Sequence, residues 1–210
     1  MKILAGVILA AGAAGTKTWD FEEGEAGKMP PGFTTALTGG GGAVAWVLKE
    51  EAGAPSGKKV LAQTSADETG NRFPLCVRDD FSAKDVAVSV KFKPVSGKVD
   101  QSGGVVLRYK DAKNYYIARA NALEDNVRLY KVVDGSRKQF AGTDAKVAPA
   151  TWHSLKLEVK GKHFKVTFND KLLFEADDET FADAGKIGLW TKADSVTHFD
   201  DLKAESEEIK

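Results

Sequence analysis

Apolar and polar residues alternate with a period of two along most of the chain beyond residue 16. Val86, Val88, Val90 and Phe92 alternate with Ala87, Ser89, Lys91 and Lys93; Leu155, Leu157 and Val159 alternate with Ser154, Lys156, Glu158 and Lys160. Phe164, Val166 and Phe168 alternate with Lys165, Thr167 and Asn169. Successive strand side chains point to opposite faces, so each run predicts a strand with one face in a core and one in water. Hairpin-forming sequences punctuate the runs: Lys160-Gly161-Lys162, Asn169-Asp170-Lys171 and Asp134-Gly135. About thirteen strand candidates at short, regular spacing predict an all-β, two-sheet antiparallel sandwich. Short helix-like pieces at 123–125 and 178–182 read as loops or single turns. Gly39 to Gly42 reads as a connecting loop inside one domain, because strand patterns flank it closely.

Three strands carry an unusual polar face. Tyr115, Ile117, Arg119 and Asn121 share one side of their strand; Arg128 and Tyr130 share a side of the next; Gly188, Trp190 and Lys192 share a side of a third. A merely solvated face favours Thr, Lys, Glu and Ser. Arginine, tyrosine, tryptophan and asparagine together predict a surface built to contact a polar ligand.

The first fifteen residues break the alternation. Lys2 precedes a run of apolar and small residues from Ile3 to Gly15, with Ala11-Gly12-Ala13 and Ala13-Ala14-Gly15 as small-residue cleavage sequences. The run is shorter than the roughly 20 residues a membrane-spanning helix needs, so 1–15 reads as a signal peptide and 16–210 as the folded domain. That reading places the protein outside the cytoplasm, secreted or periplasmic. Cys76 is the single cysteine, so no intrachain disulfide is available.

Lys plus Arg and Asp plus Glu each number 30. Bulk charge therefore argues against a nucleic-acid partner. A near-neutral domain suits an uncharged saccharide better than a polyanion, and the domain is expected to be monomeric.

Four blocks carry a resemblance: Asp100 to Asp111, Asn114 to Val127, Trp152 to Leu157, and Ala184 to Leu202. Together they resemble exported bacterial domains of the concanavalin A-like lectin/glucanase superfamily, in the group related to the 3-keto-disaccharide hydrolase domain. The resemblance implies a jelly roll whose concave sheet carries a carbohydrate site, either a glycoside hydrolase acting on keto-sugars or a non-catalytic carbohydrate-binding module. The Glu-x-Asp-x-x-Glu strand of family 16 glycoside hydrolases is absent. Where the keto-disaccharide hydrolases carry Gln and His after Gly-x-Ile-x-Leu, this chain has Trp190 and Lys192.

Sugars bind to aromatic plates and to planar or charged hydrogen-bonding groups. Tyr115, Tyr130 and Trp190 are the candidate plates. Arg108, Arg119, Asn121, Arg128 and Lys192 are the candidate polar contacts. Asp100, Glu124, Asp125 and Asp194 are the carboxylates near that face, and Glu124 is the candidate catalytic base, with Arg119 or Lys192 stabilising an oxyanion. No organic cofactor is implied. The resemblance to jelly rolls whose first and last strands are tied by calcium makes Asp20, Glu22 and Asp201 candidate ligands of a structural Ca2+. His153, His163 and His198 match no zinc spacing and read as surface or edge residues.

Overall fold

The computed structural model describes residues 15–207. The expected signal peptide lies outside them, except for Gly15, which opens the first strand. The early strands are β1 (Gly15–Trp19), β2 (Phe33–Thr38), β3 (Trp46–Glu50), β4 (Lys59–Gln63) and β5 (Phe73–Ala83). The middle strands are β6 (Val86–Ser96), β7 (Ser102–Asp111), β8 (Asn114–Asn121), β9 (Asn126–Val133) and β10 (Ser136–Asp144). The last are β11 (His153–Lys160), β12 (His163–Phe168), β13 (Lys171–Asp177), β14 (Gly185–Trp190) and β15 (Val196–Ser206). No helix forms among the described residues.

The strands make two antiparallel sheets. One runs β13-β12-β11-β6-β15-β4-β3, with β1 added on β15; the other runs β10-β9-β8-β7-β14-β5-β2. First and last strands are therefore neighbours, as the jelly-roll resemblance implied. The period-two runs bury as expected: Val86, Val88, Val90, Phe92, Leu155, Leu157, Val159, Phe164 and Val166 all enter the core between the sheets. From the other sheet come Tyr116, Ala118, Ala120, Val127, Leu129 and Leu189. The hairpin turns have the left-handed backbone their residues favour, with φ of 50° and 81° at Asp134 and Gly135 and of 46° and 63° at Asn169 and Asp170. No helix of the described residues is long and apolar enough to cross a membrane.

Two histidines correct the sequence reading. His153 is buried because it opens β11 on the same side as Leu155 and Leu157. Its ring stacks on Phe168 at 5.1 Å, and its nitrogens meet the Ala148 carbonyl at 2.9 Å and the Asn169 amide at 3.1 Å. His198 lies on the outer side of β15, covered, with Nδ1 2.8 Å from Glu51 Oε2. Only His163 reaches the surface, partly exposed between Asp177 and Glu175.

β15 also holds a buried carboxylate. Asp200 accepts hydrogen bonds from the backbone N–H of Ser56 at 2.9 Å and of Asp201 at 2.8 Å. Burial nonetheless pushes its carboxyl up to about 6 from the ordinary 3.8. A folded-state value above the unfolded one means that stability is full below pH 4 and falls as pH rises through 6. That shift is worth ~3 kcal/mol at neutral pH, and Asn in its place gives up one acceptor worth ~1. Asp200→Asn is thus expected to raise the unfolding free energy by about 2 kcal/mol at pH 7.5. The gain should vanish near pH 4 in urea titrations. An equal effect at both pH values contradicts it.

Candidate functional site

The outer face of the seven-stranded sheet is where the polar strand faces converge. It has its own apolar cluster, separate from the inter-sheet core: Phe73, Leu75, Val77, Val106, Tyr115, Ile117, Tyr130, Val132 and Trp190. Register aligns the polar residues on it. Arg119 pairs with Arg128, and Asn121 with Asn126, across β8 and β9; Gly104 of β7 lies opposite both Arg119 and Trp190. A Cβ on Gly104 would stand 2.8 Å from the Ala118 carbonyl and 3.2 Å from Arg119 Cβ, so glycine keeps the floor open beneath the Arg119 stem.

Arg119 organises the site. Its Nη1 donates to Asn126 Oδ1 at 2.5 Å, and its Nη2 donates to Glu124 Oε2 at 2.7 Å and to the Tyr130 hydroxyl at 3.1 Å. The side chain is 4% exposed and its Nε is buried without an acceptor among the described residues. Glu124 stands in the β8–β9 turn, which Asn121 builds by accepting the backbone N–H groups of Leu123 and Glu124. Asn126 Nδ2 donates to the same Glu124 oxygen at 3.1 Å. The other oxygen, Oε1, has no donor among the described residues, and the side chain is 45% exposed. Burial alone would raise the Glu124 carboxyl. The charge of Arg119, the hydrogen bonds from Asn126 and Arg119, and the charge of Lys192 outweigh it and hold the group below its ordinary value. Glu124 is therefore an ionised acceptor at neutral pH, suited to a hydroxyl and unsuited to act as a general acid.

A second carboxylate lies nearby but is spent on the fold. Asp100 is buried and accepts from Lys192 Nζ at 2.9 Å and Asn121 Nδ2 at 3.2 Å. Asp194 accepts the backbone N–H groups of Lys98 and Asp100 at 2.6 and 3.0 Å and fixes that loop. Asp125 turns away, with φ +47°, and holds Val147 N at 3.0 Å and Lys146 Nζ at 2.7 Å.

The structure sorts the other expected contacts. Arg119, Tyr130, Lys192 and Glu124 come together. Asn121 is buried and shapes the turn. Arg128 lies on the same face, paired with Asp144 at 2.7 Å. Trp190 and Tyr115 are 0% exposed, so neither is an open stacking plate; both are floor beneath the face. Tyr115 donates or accepts at Thr38 Oγ1 across 2.8 Å, and burial pushes its phenol up to about 12. Arg108 is elsewhere. A bulge with φ +48° at Arg108 breaks the alternation of β7 and sends the guanidinium inward. There it donates to the carbonyls of Phe181, Gly161 and Lys84 at 2.7, 2.7 and 3.0 Å. Gly185 packs against that bulge, where a Cβ would meet Arg108 backbone atoms at 2.5 Å.

Two contributors escaped the sequence reading. Asn126 was legible as the partner of Asn121 across a short turn. Arg137 sits in β10, whose polar sequence reads as a solvated edge. The Asp134-Gly135 hairpin nevertheless sets Arg137 opposite Val132, on the Tyr130 side. Its guanidinium carbon lies 4.5 Å from the Tyr130 ring centroid, 4.8 Å from that of Phe73 and 5.5 Å from that of Trp190.

The expected calcium ligands are spread out. Asp20 Oδ1 accepts Glu22 N at 3.2 Å, and Glu22 Oε1 accepts the N–H groups of Lys58 and Lys59 at 2.8 and 2.6 Å. Asp201 occupies a bulge in β15 with φ +50°. Among the described residues no three His, Cys, Asp or Glu side chains gather into a metal-binding group.

The family described as the 3-keto-alpha-glucoside-1,2-lyase-like domain matches residues 19–205. Levanase of Bacillus subtilis is 32% identical over 99 residues, a match spanning 46% of this chain and only 14% of the levanase. Among solved structures, carbohydrate binding module CBM66 from Bacillus subtilis aligns with a TM-score of 0.66 at 22% identity, over 83% of this chain and 96% of that one. The beta-glucanase of Bacillus licheniformis aligns with a TM-score of 0.61 at 12% identity, over 91% and 98%. At these identities the structural likeness establishes the sandwich fold.

Proposed function

The chain belongs to the 3-keto-alpha-glucoside-1,2-lyase-like domain family, and on that premise we propose that it binds a saccharide on the outer face of its seven-stranded sheet through Arg119, Glu124, Tyr130 and Lys192. One observation carries the reading: Arg119 locks one oxygen of an ionised, partly exposed Glu124 and leaves the other with no donor among the described residues. A fixed acceptor beside the Lys192 ammonium and the Tyr130 hydroxyl matches adjacent sugar hydroxyls, which donate and accept together. A levan-type fructan is the first saccharide to try, because the curated relative is a levanase. Export of the domain, from the reading of residues 1–15, is part of the same proposal.

Binding is favoured over direct glycoside hydrolysis. Displacement at a glycosidic carbon needs two carboxyl groups, one of them protonated. Here Glu124 is held ionised and Asp100 is tied to Lys192. The family supports a second reading through elimination. A ketone at C3 acidifies the C2 proton; Glu124 would take it, Arg119 and Lys192 would stabilise the enolate, and the C1 aglycone would leave.

Calorimetric titration with levan, run beside a release assay on p-nitrophenyl 3-keto-glucoside, separates the two. The binding reading expects saturable heat and no nitrophenol. Nitrophenol release that disappears in Glu124→Gln establishes the lyase reading; silence in both assays removes the lyase reading and levan as the ligand, and silence with the other neutral and acidic saccharides as well overturns saccharide binding.

A further inference from the structure

The cations of the outer face are matched one by one, with a single exception. Arg119 has Glu124 at 2.7 Å, Arg128 has Asp144 at 2.7 Å and Lys192 has Asp100 at 2.9 Å. Arg137 has neither a carboxylate nor a hydrogen-bond acceptor among the described residues, and its Nη1 is buried with nothing to donate to. Burial is the largest influence and works against its ionised form; the charge of Arg119 adds to it, while Tyr130 and the Asp100 carboxylate, neither of them in hydrogen-bond contact with it, oppose it only in part. A guanidinium cannot relieve that cost by losing its proton in ordinary conditions. Stacking on Phe73, Tyr130 and Trp190 offsets part of it, because ring faces attract cations. Stacking leaves the in-plane N–H fork unused, and that fork is the part of arginine which recognises anions. Both guanidinium carbons, of Arg137 at 4.5 Å and Arg119 at 5.7 Å, lie within 6 Å of the Tyr130 ring centroid. Buried, unpartnered N–H groups of two arginines thus collect around one ring. Near-neutral overall composition hides this one cation without a paired carboxylate.

We propose that the face is selective for an acidic saccharide, one whose sugar unit carries a carboxylate as in a uronic acid, with the Arg137 fork receiving the carboxylate while Glu124 and Lys192 hold hydroxyls. This rests on the reading that the face binds saccharide at all. One unmatched positive charge asks for one negative charge, and the planar carboxylate fits the fork of a guanidinium held against aromatic rings.

Calorimetry with matched pairs tests it: methyl β-D-glucuronide against methyl β-D-glucoside, and oligogalacturonate against its methyl ester, with levan as a neutral reference. The acid of at least one pair is expected to bind ten-fold or more tightly than its neutral partner, with the gap shrinking as salt is added. Arg137→Gln should bring that ratio to about one, and Arg137→Lys should keep only part of it. Thermal melts verify that both variants fold. If levan or the neutral sugars bind as well as the acids, the acidic selectivity is overturned and saccharide binding stands. If no probe binds, both fall. A preference for the acid that survives in Arg137→Gln removes Arg137 from the assignment.

Discussion

Replacing Arg108 with Ala is expected to lower the unfolding free energy by about 3–5 kcal/mol while leaving the saccharide affinity of the folded protein unchanged. The side chain is 1% exposed. It closes one end of the sandwich by donating to three backbone carbonyls, those of Lys84, Gly161 and Phe181, from three separate connections. Asp85 Oδ1 lies 3.5 Å from its Nη2. Truncation leaves those carbonyls without their donor in a site too enclosed for bulk water, at about 1–3 kcal/mol per stranded group. Lysine is a poor replacement, because one ammonium cannot reach three carbonyls in a planar fan. The urea midpoint reads the stability, and a saccharide titration of the folded fraction reads the affinity. A stable Arg108→Ala that has lost affinity contradicts this placement.

Arg119→Ala is expected to do the reverse. Affinity for saccharide should fall a hundred-fold or more, and stability by only about 1–2 kcal/mol, because the Glu124 partner is partly exposed and screened. The affinity loss exceeds that of one hydrogen bond since Arg119 sets three groups at once. Without it Glu124 loses its strongest counter-charge, Asn126 loses a donor, and the Tyr130 hydroxyl is free to turn. Arg119→Lys restores charge without that geometry and should recover little. Equal binding by wild type and Arg119→Ala contradicts the site.

These two arginines also mark what the chain discloses before folding is known. Period-two patterning identified β6, β11 and β12 and their buried faces directly, because those strands are regular and one-sided. The shared face of Tyr115, Arg119 and Asn121 came from the same rule. Arg108 obeyed that rule on paper, and a single left-handed residue in β7 reversed it. Bulges cost the sequence nothing visible when the residue concerned is not glycine. Trp190 and Tyr115 looked like ligand plates because alternation assigns a face and says nothing of what lies over it. Arg137, which covers that floor, comes from a strand dominated by polar residues. Only the register of the Asp134-Gly135 hairpin shows that it joins Tyr130. His153 and His198 were misplaced for a related reason: a buried imidazole, whether hydrogen-bonded at both nitrogens like His153 or set against a carboxylate like His198, is indistinguishable, in sequence, from one at an edge.

The central claim is that saccharide lies on the outer face of the seven-stranded sheet. Its most direct test is chemical-shift mapping of isotope-labelled protein titrated with levan oligosaccharides and with oligogalacturonate. The expected perturbations cluster at the Arg119 and Arg137 side-chain N–H groups, the 122–126 turn, Tyr130 and Lys192. Perturbations confined instead to the cleft among Trp19, Pro31 and Arg78, or to the outer side of the eight-stranded sheet around Lys91 and Lys156, would contradict it.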